Sequence, residues 1–319
     1  MMSWVQGIHH VTAAATSAQG DHDFHTGTLG LRLVKRTVNH ETADQWHLFY
    51  GDDVGNAGSI MTNFIFEDVP LPAYRRGRGT ITEVAYSAPP ESMQFWRRRL
   101  GEAGALDASG EEDQKAPERF GDLVLRFRDR SGIPGEIVAC DDSRAGSAGT
   151  EEVPREHSLR GLHSVTLLSR IPELTIGFFC ELLRFQVAGV EGSRTRLRAP
   201  SGGPGSFVDV LDEPDAPWGR WGLGGIHHVA FTVPSRETME QLARVLSGAG
   251  LILTDLRDRK WFHSMYLTEP GGINVEFSDL SPGWTIDEEP QSLGTTLCLP
   301  KQWEAQRAEI EARLPVLEF

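Results

Sequence analysis

A chain of 319 residues, 39% hydrophobic and 24% charged, has the makeup of a soluble globular protein with core enough for two ordinary domains. Its net charge of -14 weighs against a nucleic-acid partner, and the longest positive run, Arg75-Arg76-Gly77-Arg78, has no interleaved aromatics. No apolar run approaches the ~18 residues of a bilayer span, so no membrane partner is expected. Three widely spaced cysteines (Cys140, Cys180, Cys298) and the lack of a signal segment point to the cytoplasm.

The first predicted strand, Gly7 to Ala14, alternates, with Val11 on one face and His10 and Thr12 on the other. Such a period of two marks a half-buried strand. A weakly patterned segment around Phe24 follows, and a strand from Gly58 to Phe64 closes the module with Asn63 assigned to its polar face. The opening strand recurs three times. Thr80 to Pro89 presents Glu83 and Ala85, Gly161 to Leu168 presents Ser164 and Thr166, and Gly225 to Pro234 presents His228 and Ala230.

A predicted helix follows each copy. Ser92 opens one with Phe95, Trp96 and Leu100; Ile176, Phe179, Cys180 and Leu183 mark another; Ser235 caps a third with Met239, Leu242, Ala243 and Leu246. The closing strands carry Glu136, Asp209 and Glu276. Four βαβββ modules result, an α+β architecture built on a long-period repeat. They span residues 1–70, 78–142, 158–213 and 224–280, joined by Pro70–Gly79, Asp141–His157 and Glu213–Gly224. A tail, 281–319, has a helix after Pro300 that would dock Trp303, Ile310 and Leu314 on the body and end at Pro315.

Adjacent strand side chains point to opposite faces, so alternation selects His10 and His228 for the cleft and turns His9 and His227 away. The first-strand and closing-strand positions give His10 and Asn63, Glu83 and Glu136, Ser164 and Asp209, and His228 and Glu276. Pairing module one with four yields two imidazoles and one carboxylate, the ligand set of non-haem iron(II) sites with open positions. Pairing two with three yields only acids and a serine, which should pair with cations or reach water. One doubled histidine more often satisfies buried backbone groups; two at equivalent places, with a carboxylate in the equivalent closing strand, favour metal. His163 is out of register and reads as structural. His22, His25, His40, His47 and His157 read as surface or packing residues.

These repeats resemble the vicinal oxygen chelate superfamily, a fold of glyoxalase, bleomycin-resistance and extradiol-dioxygenase type with paired modules forming barrel-like domains. More narrowly the chain is similar to hydroquinone-type ring-cleaving dioxygenases, including chlorohydroquinone 1,2-dioxygenases. The likeness runs through Gly7-Ile8-His9-His10-Val11-Thr12, Leu33 to Asn39, Asp258-Arg259, Ser264-Met265-Tyr266, Glu269-Pro270-Gly271-Gly272-Ile273 and the tail from Leu299 to Pro315. The segment His40 to Trp46 departs from the family pattern and leaves substrate range open. The resemblance implies Fe2+, with Mn2+ as the other candidate, held by His10, His228 and Glu276 where modules one and four share a domain, and modules two and three the second domain. It also implies supporting roles for His9, Thr12, His227, Arg259 and Tyr266.

The expected function is ring cleavage of an aromatic diol of the hydroquinone type with O2, in a chain that is either single or a homo-oligomer. Two rivals remain: a glyoxalase-like metal-dependent isomerase or lyase, for which Asn63 would be the weak fourth ligand, and a non-enzymatic aromatic-binding resistance protein, which fold alone does not exclude.

Overall fold

The computed structural model describes residues 4–67, 69–107 and 117–318. In module one, β1 (Ile8–Ala15) leads through the short α1 (Ala18–His22) and a π-helical turn (Asp23–Thr28) to β2 (Arg32–Val38), β3 (Trp46–Gly51) and β4 (Ile60–Ile65). Module two has β5 (Thr80–Ala88), α2 (Met93–Glu102), β6 (Glu118–Arg119), β7 (Asp122–Arg128) and β8 (Pro134–Ala139). Module three has β9 (Gly161–Leu168), α3 (Pro172–Gly177), a second π-helical turn (Phe178–Leu182), β10 (Gln186–Glu191), β11 (Arg194–Arg198) and β12 (Phe207–Leu211). Module four has β13 (Ile226–Thr232), α4 (Arg236–Gly248), β14 (Arg257–Asp258), β15 (His263–Thr268) and β16 (Asn274–Ser278).

In every module the closing strand lies parallel to the opening one: β4 on β1, β8 on β5, β12 on β9 and β16 on β13. A parallel pair needs a crossover, and the helices supply it. Ser235 caps α4 by accepting the Thr238 amide at 3.2 Å, and Met239, Leu242 and Leu246 bury the expected face. Ser92 precedes α2 but makes no such cap; its hydroxyl reaches His157 Nδ1 at 3.0 Å.

Opening strands also meet each other. β1 pairs antiparallel with β13, β5 with β9, and one contact between Ile226 and Ile81 links all into a single sheet network. Modules one and four therefore adjoin through β1 and β13. Their helix-facing side is apolar, with Val11, Met61, Val229 and Val275 in the main core.

The register corrects one expectation. Ala230 faces Glu276 across β13 and β16, and the matching pair in module one is Thr12 and Thr62, not Asn63. A slip of one residue turns a strand side chain to the opposite face. Asn63 thus points to the helical side, where its amide donates to Asp21 Oδ1 at 2.7 Å. It is no candidate fourth ligand.

That buried group binds α1 to the sheet. Asp21 also accepts from Tyr50 at 2.8 Å, and His25 stacks on Tyr50 at 4.5 Å with Nδ1 3.3 Å from Asp21 Oδ1. Burial alone would lower His25's pKa, but the Asp21 carboxylate outweighs it and raises it. His25 is therefore a buried ion-pair residue, not ordinary packing.

The tail crosses module one. A bridge joins Arg36 and Leu297, and the fully buried Lys35 donates to Asp287 at 2.7 Å and Glu288 at 2.5 Å. The stretch after Pro300 begins as a 3-10 segment (Lys301–Gln306) and becomes α5 (Arg307–Arg313). Ile310 and Leu314 are buried against the core and Trp303 is partly so.

Candidate metal and substrate site

The opening strands do not alternate strictly. In the β1–β13 pairing the register skips His9 on one strand and His227 on the other. The β5–β9 pairing skips Thr82 and His163 at the same places. A bulge of this kind sets two consecutive residues against one partner and re-aims their side chains. In all four modules the skipped residue bonds the one after it. His9 Nδ1 lies 2.8 Å from His10 Nδ1, His227 Nδ1 2.6 Å from His228 Nδ1, His163 Nδ1 2.9 Å from Ser164 Oγ, and Thr82 Oγ1 2.6 Å from Glu83 Oε2. The doubled histidines are the bulged version of one repeated device.

These bulges bring the ligand candidates together. His228 Nε2 is 2.8 Å and His10 Nε2 3.3 Å from Glu276 Oε2, and the two Nε2 atoms are 3.4 Å apart. All three residues are buried. Burial would raise the Glu276 pKa, but the imidazoles of His10 and His228 outweigh it and hold it well below the usual carboxylate range.

The donor set fits a divalent ion. Three ligand atoms converge, and Glu276 Oε2 is buried without any hydrogen-bond donor. A histidine that ligates through Nε2 carries its proton on Nδ1. His10 Nδ1 would then donate to His9 Nδ1, leaving the His9 proton on Nε2, which lies 3.1 Å from the Asp279 carbonyl. The second pair has no such anchor: with His227 Nδ1 engaged by His228, Nε2 carries the remaining proton, and His227 lines the cavity. Burial first, then the neighbouring imidazole, lowers both His9 and His227 to about 3, so both are neutral.

A cavity of about 550 Å³ opens beside these residues. Thr12, Arg259 and Tyr266 line it, whereas His9 does not; the expectation that alternation excludes both His9 and His227 therefore fails for His227. The Tyr266 ring sits 5.6 Å from the His228 ring and 5.4 Å from the Arg259 guanidinium carbon. Burial, reinforced by Glu276, raises the Tyr266 pKa above its ordinary value. Phe49, Phe64, Phe66, Trp221 and Phe262 supply the apolar walls.

His40 and His47, read as packing or surface residues, also line this cavity, with Asn39, Glu41 and Arg257. His47 lies between Phe49 and Phe64, each ring centroid 4.2 Å away, and its Nε2 is 2.5 Å from Thr62 Oγ1. Burial lowers His40 to about 4, with Arg259 adding to it, and burial also holds His47 well below the usual histidine range. The period of two in Trp46-His47-Leu48-Phe49 could have placed His47 and Phe49 on one face; loop residues 39–41 offered no period to read.

The matching place between modules two and three is filled by cations. Arg119 grips Glu136 through two bonds of 2.6 Å, while Arg194 and Arg196 hold Asp209 at 3.0 and 2.8 Å. Among the described residues Glu83 has no guanidinium at that range; burial, then Glu136, raises its pKa.

Residues 161–277 match the family model described as Glyoxalase/Bleomycin resistance protein/Dioxygenase superfamily. MhqA of Bacillus subtilis (strain 168), which bears the provisional name of a ring-cleaving dioxygenase, is 32% identical, covering 98% of this chain and 99% of that one. The chlorohydroquinone/hydroquinone 1,2-dioxygenase of Sphingobium indicum is 34% identical, covering 96% and 95%. A crystal structure from Bacillus subtilis subsp. subtilis, of a protein provisionally called a dioxygenase, superposes with a TM-score of 0.92 at 31% identity over 99% of both chains. The chain belongs to the Glyoxalase/Bleomycin resistance protein/Dioxygenase superfamily and, within it, to the family of these ring-cleaving dioxygenases. The names of those relatives support dioxygenase activity. No helix among the described residues is long and apolar enough to cross a membrane.

Proposed function

We propose that the protein is an Fe(II)-dependent ring-cleaving dioxygenase of extradiol type acting on hydroquinone-type diols with O2. Modules one and four would form the metal-holding unit. The observation that carries this reading is the convergence of His10 Nε2, His228 Nε2 and an unpartnered Glu276 oxygen on one point beside an aromatic-lined cavity. Two imidazoles and one carboxylate suit Fe2+, and also Mn2+. Such an ion, once bound, acidifies a coordinated phenol and brings O2 and the ring together.

The chain's own groups then have definite tasks. Phe49, Phe64 and Trp221 exclude water and hold a flat ring. Tyr266, a protonated phenol at neutral pH, donates its O–H to negative charge developing on a substrate oxygen, and Arg259 adds a fixed positive charge beside it. His227 offers its Nε2 proton as a hydrogen bond to a substrate oxygen, while His9, tied to the Asp279 carbonyl, orients His10. Thr12 adds a hydroxyl with no partner of its own.

The isomerase reading is the weaker one because the equivalent of Glu276 is Thr62, already bonded to His47, which leaves three protein donors. Oxygen uptake by anaerobically iron-loaded protein tests the proposal. Hydroquinones should consume O2 faster than catechols, and a glutathione hemithioacetal should yield no thioester. Preference for catechol, or thioester formation, would reject it.

A further inference from the structure

Glu41 reaches across the cavity mouth from the β2–β3 loop. Its Oε1 alone meets both Arg257 Nη1, at 2.6 Å, and Arg259 Nη1, at 3.1 Å. The Glu41 side chain is 59% exposed, Arg257 41% and Arg259 15%. Two guanidinium groups thus share one carboxylate oxygen among residues that line the cavity. Both guanidinium groups lie over the Tyr266 ring, at 5.8 and 5.4 Å, and that ring is 5.6 Å from the His228 imidazole. A substituted benzene ring is of the size to extend from the histidines along Tyr266 toward the two arginines.

We propose that Glu41 holds the place of an anionic ring substituent, and that Arg257 with Arg259 recognises para-diols bearing a carboxylate. The Glu41–Arg257 pair is exposed on both sides and therefore weak, so an incoming carboxylate displaces Glu41 from Arg257 at little cost. The same substituent gains paired, charge-assisted hydrogen bonds, and its ring gains burial against the aromatic walls. Arg259, the more buried of the two, also serves the substrate oxygen; Arg257 is the residue that selects the substituent. This inference rests on the proposed diol chemistry for the position of the ring, but its test reads binding.

The test is calorimetric titration, without O2, of metal-loaded protein with 2,5-dihydroxybenzoate and with its neutral amide. The carboxylate should bind more tightly than the amide. Glu41→Gln removes the competitor and should tighten the carboxylate about three- to tenfold, whereas Arg257→Met should weaken it about tenfold, with the amide changing less than about twofold in either variant. Equal binding of the two compounds, or weaker carboxylate binding in Glu41→Gln, overturns the proposal. Oxygen uptake with unsubstituted hydroquinone in the same preparations judges the ring-cleaving reading separately.

Discussion

At the residue scale the proposed ligands lead to a direct expectation. His10→Ala, His228→Ala and Glu276→Ala should each lose most bound metal, measured by elemental analysis of anaerobic protein, and with it turnover by at least about a thousandfold. Full metal retention in any one removes that residue from the site. Glu83 and Glu136 are expected to differ although both are acids of the second cleft. Replacing Glu136 by Gln strands a buried guanidinium and should cost about 3–5 kcal/mol in urea unfolding. Glu83→Gln imitates a carboxyl whose pKa is already raised and should cost far less. In neither variant should the metal content of folded protein fall.

His25 supplies a pH-dependent expectation. Its pKa is raised in the folded state, so the folded chain binds the proton more tightly than the unfolded one. The resulting stability is complete below the unfolded histidine value of about 6.5 and is lost as pH rises through the raised folded value. The Tm penalty of His25→Gln should therefore be larger at pH 6 than at pH 9. An equal penalty at both would mean that Asp21 and His25 interact without sharing charge.

At the element scale, the opening strands show what could be read from sequence and what could not. Val11, Val84, Val165 and Val229 marked the four buried faces because their alternation is a direct imprint of the pleat. The bulges at His9, Thr82, His163 and His227 left no such imprint, since a bulge is a relation between two strands. Hence His10 and His228 were legible, while the place of His227 in the cavity was not. Matching closing strands by spacing placed Asn63 opposite Glu276, one residue out, because the counterpart of Gly58 is Gly272 and not Gly271: both have positive φ and stand two residues ahead of their strands. The corrected register can be checked. Asn63→Ala should leave metal content unchanged and cost about 1–3 kcal/mol by removing one of the donors to the buried Asp21. Metal loss with unchanged stability would restore Asn63 to the cleft.

At the scale of the whole molecule, the tail joins the site to the body. Trp303 Nε1 and Gln302 Nε2 donate to the His40 carbonyl at 3.0 and 3.1 Å, steadying the loop that carries Glu41, and Lys35 ties Asp287 and Glu288 to β2. Lys35→Met leaves the buried Glu288 without its cation, while Asp287 keeps Lys260 at 2.9 Å. It should cost about 3–5 kcal/mol in denaturant unfolding and raise KM for the diol with less change in kcat. A variant of native stability would show that the tail is held by its apolar contacts alone.

The pairing of β1 with β13 also has a consequence for how the protein is made. His10 and His228 touch although 218 residues separate them, and Glu276 is later still. At roughly 5–20 residues per second, a ribosome delivers the carboxylate tens of seconds or less after the first histidine, but always after modules two and three have emerged. Until then the inner edge of β1 has no β13 to pair with, and a lone histidine there has no companion ligands. Binding by all three groups must thus wait until module four has been made: a cell short of the metal would accumulate chains awaiting it, and none committed to it while only the first module is out.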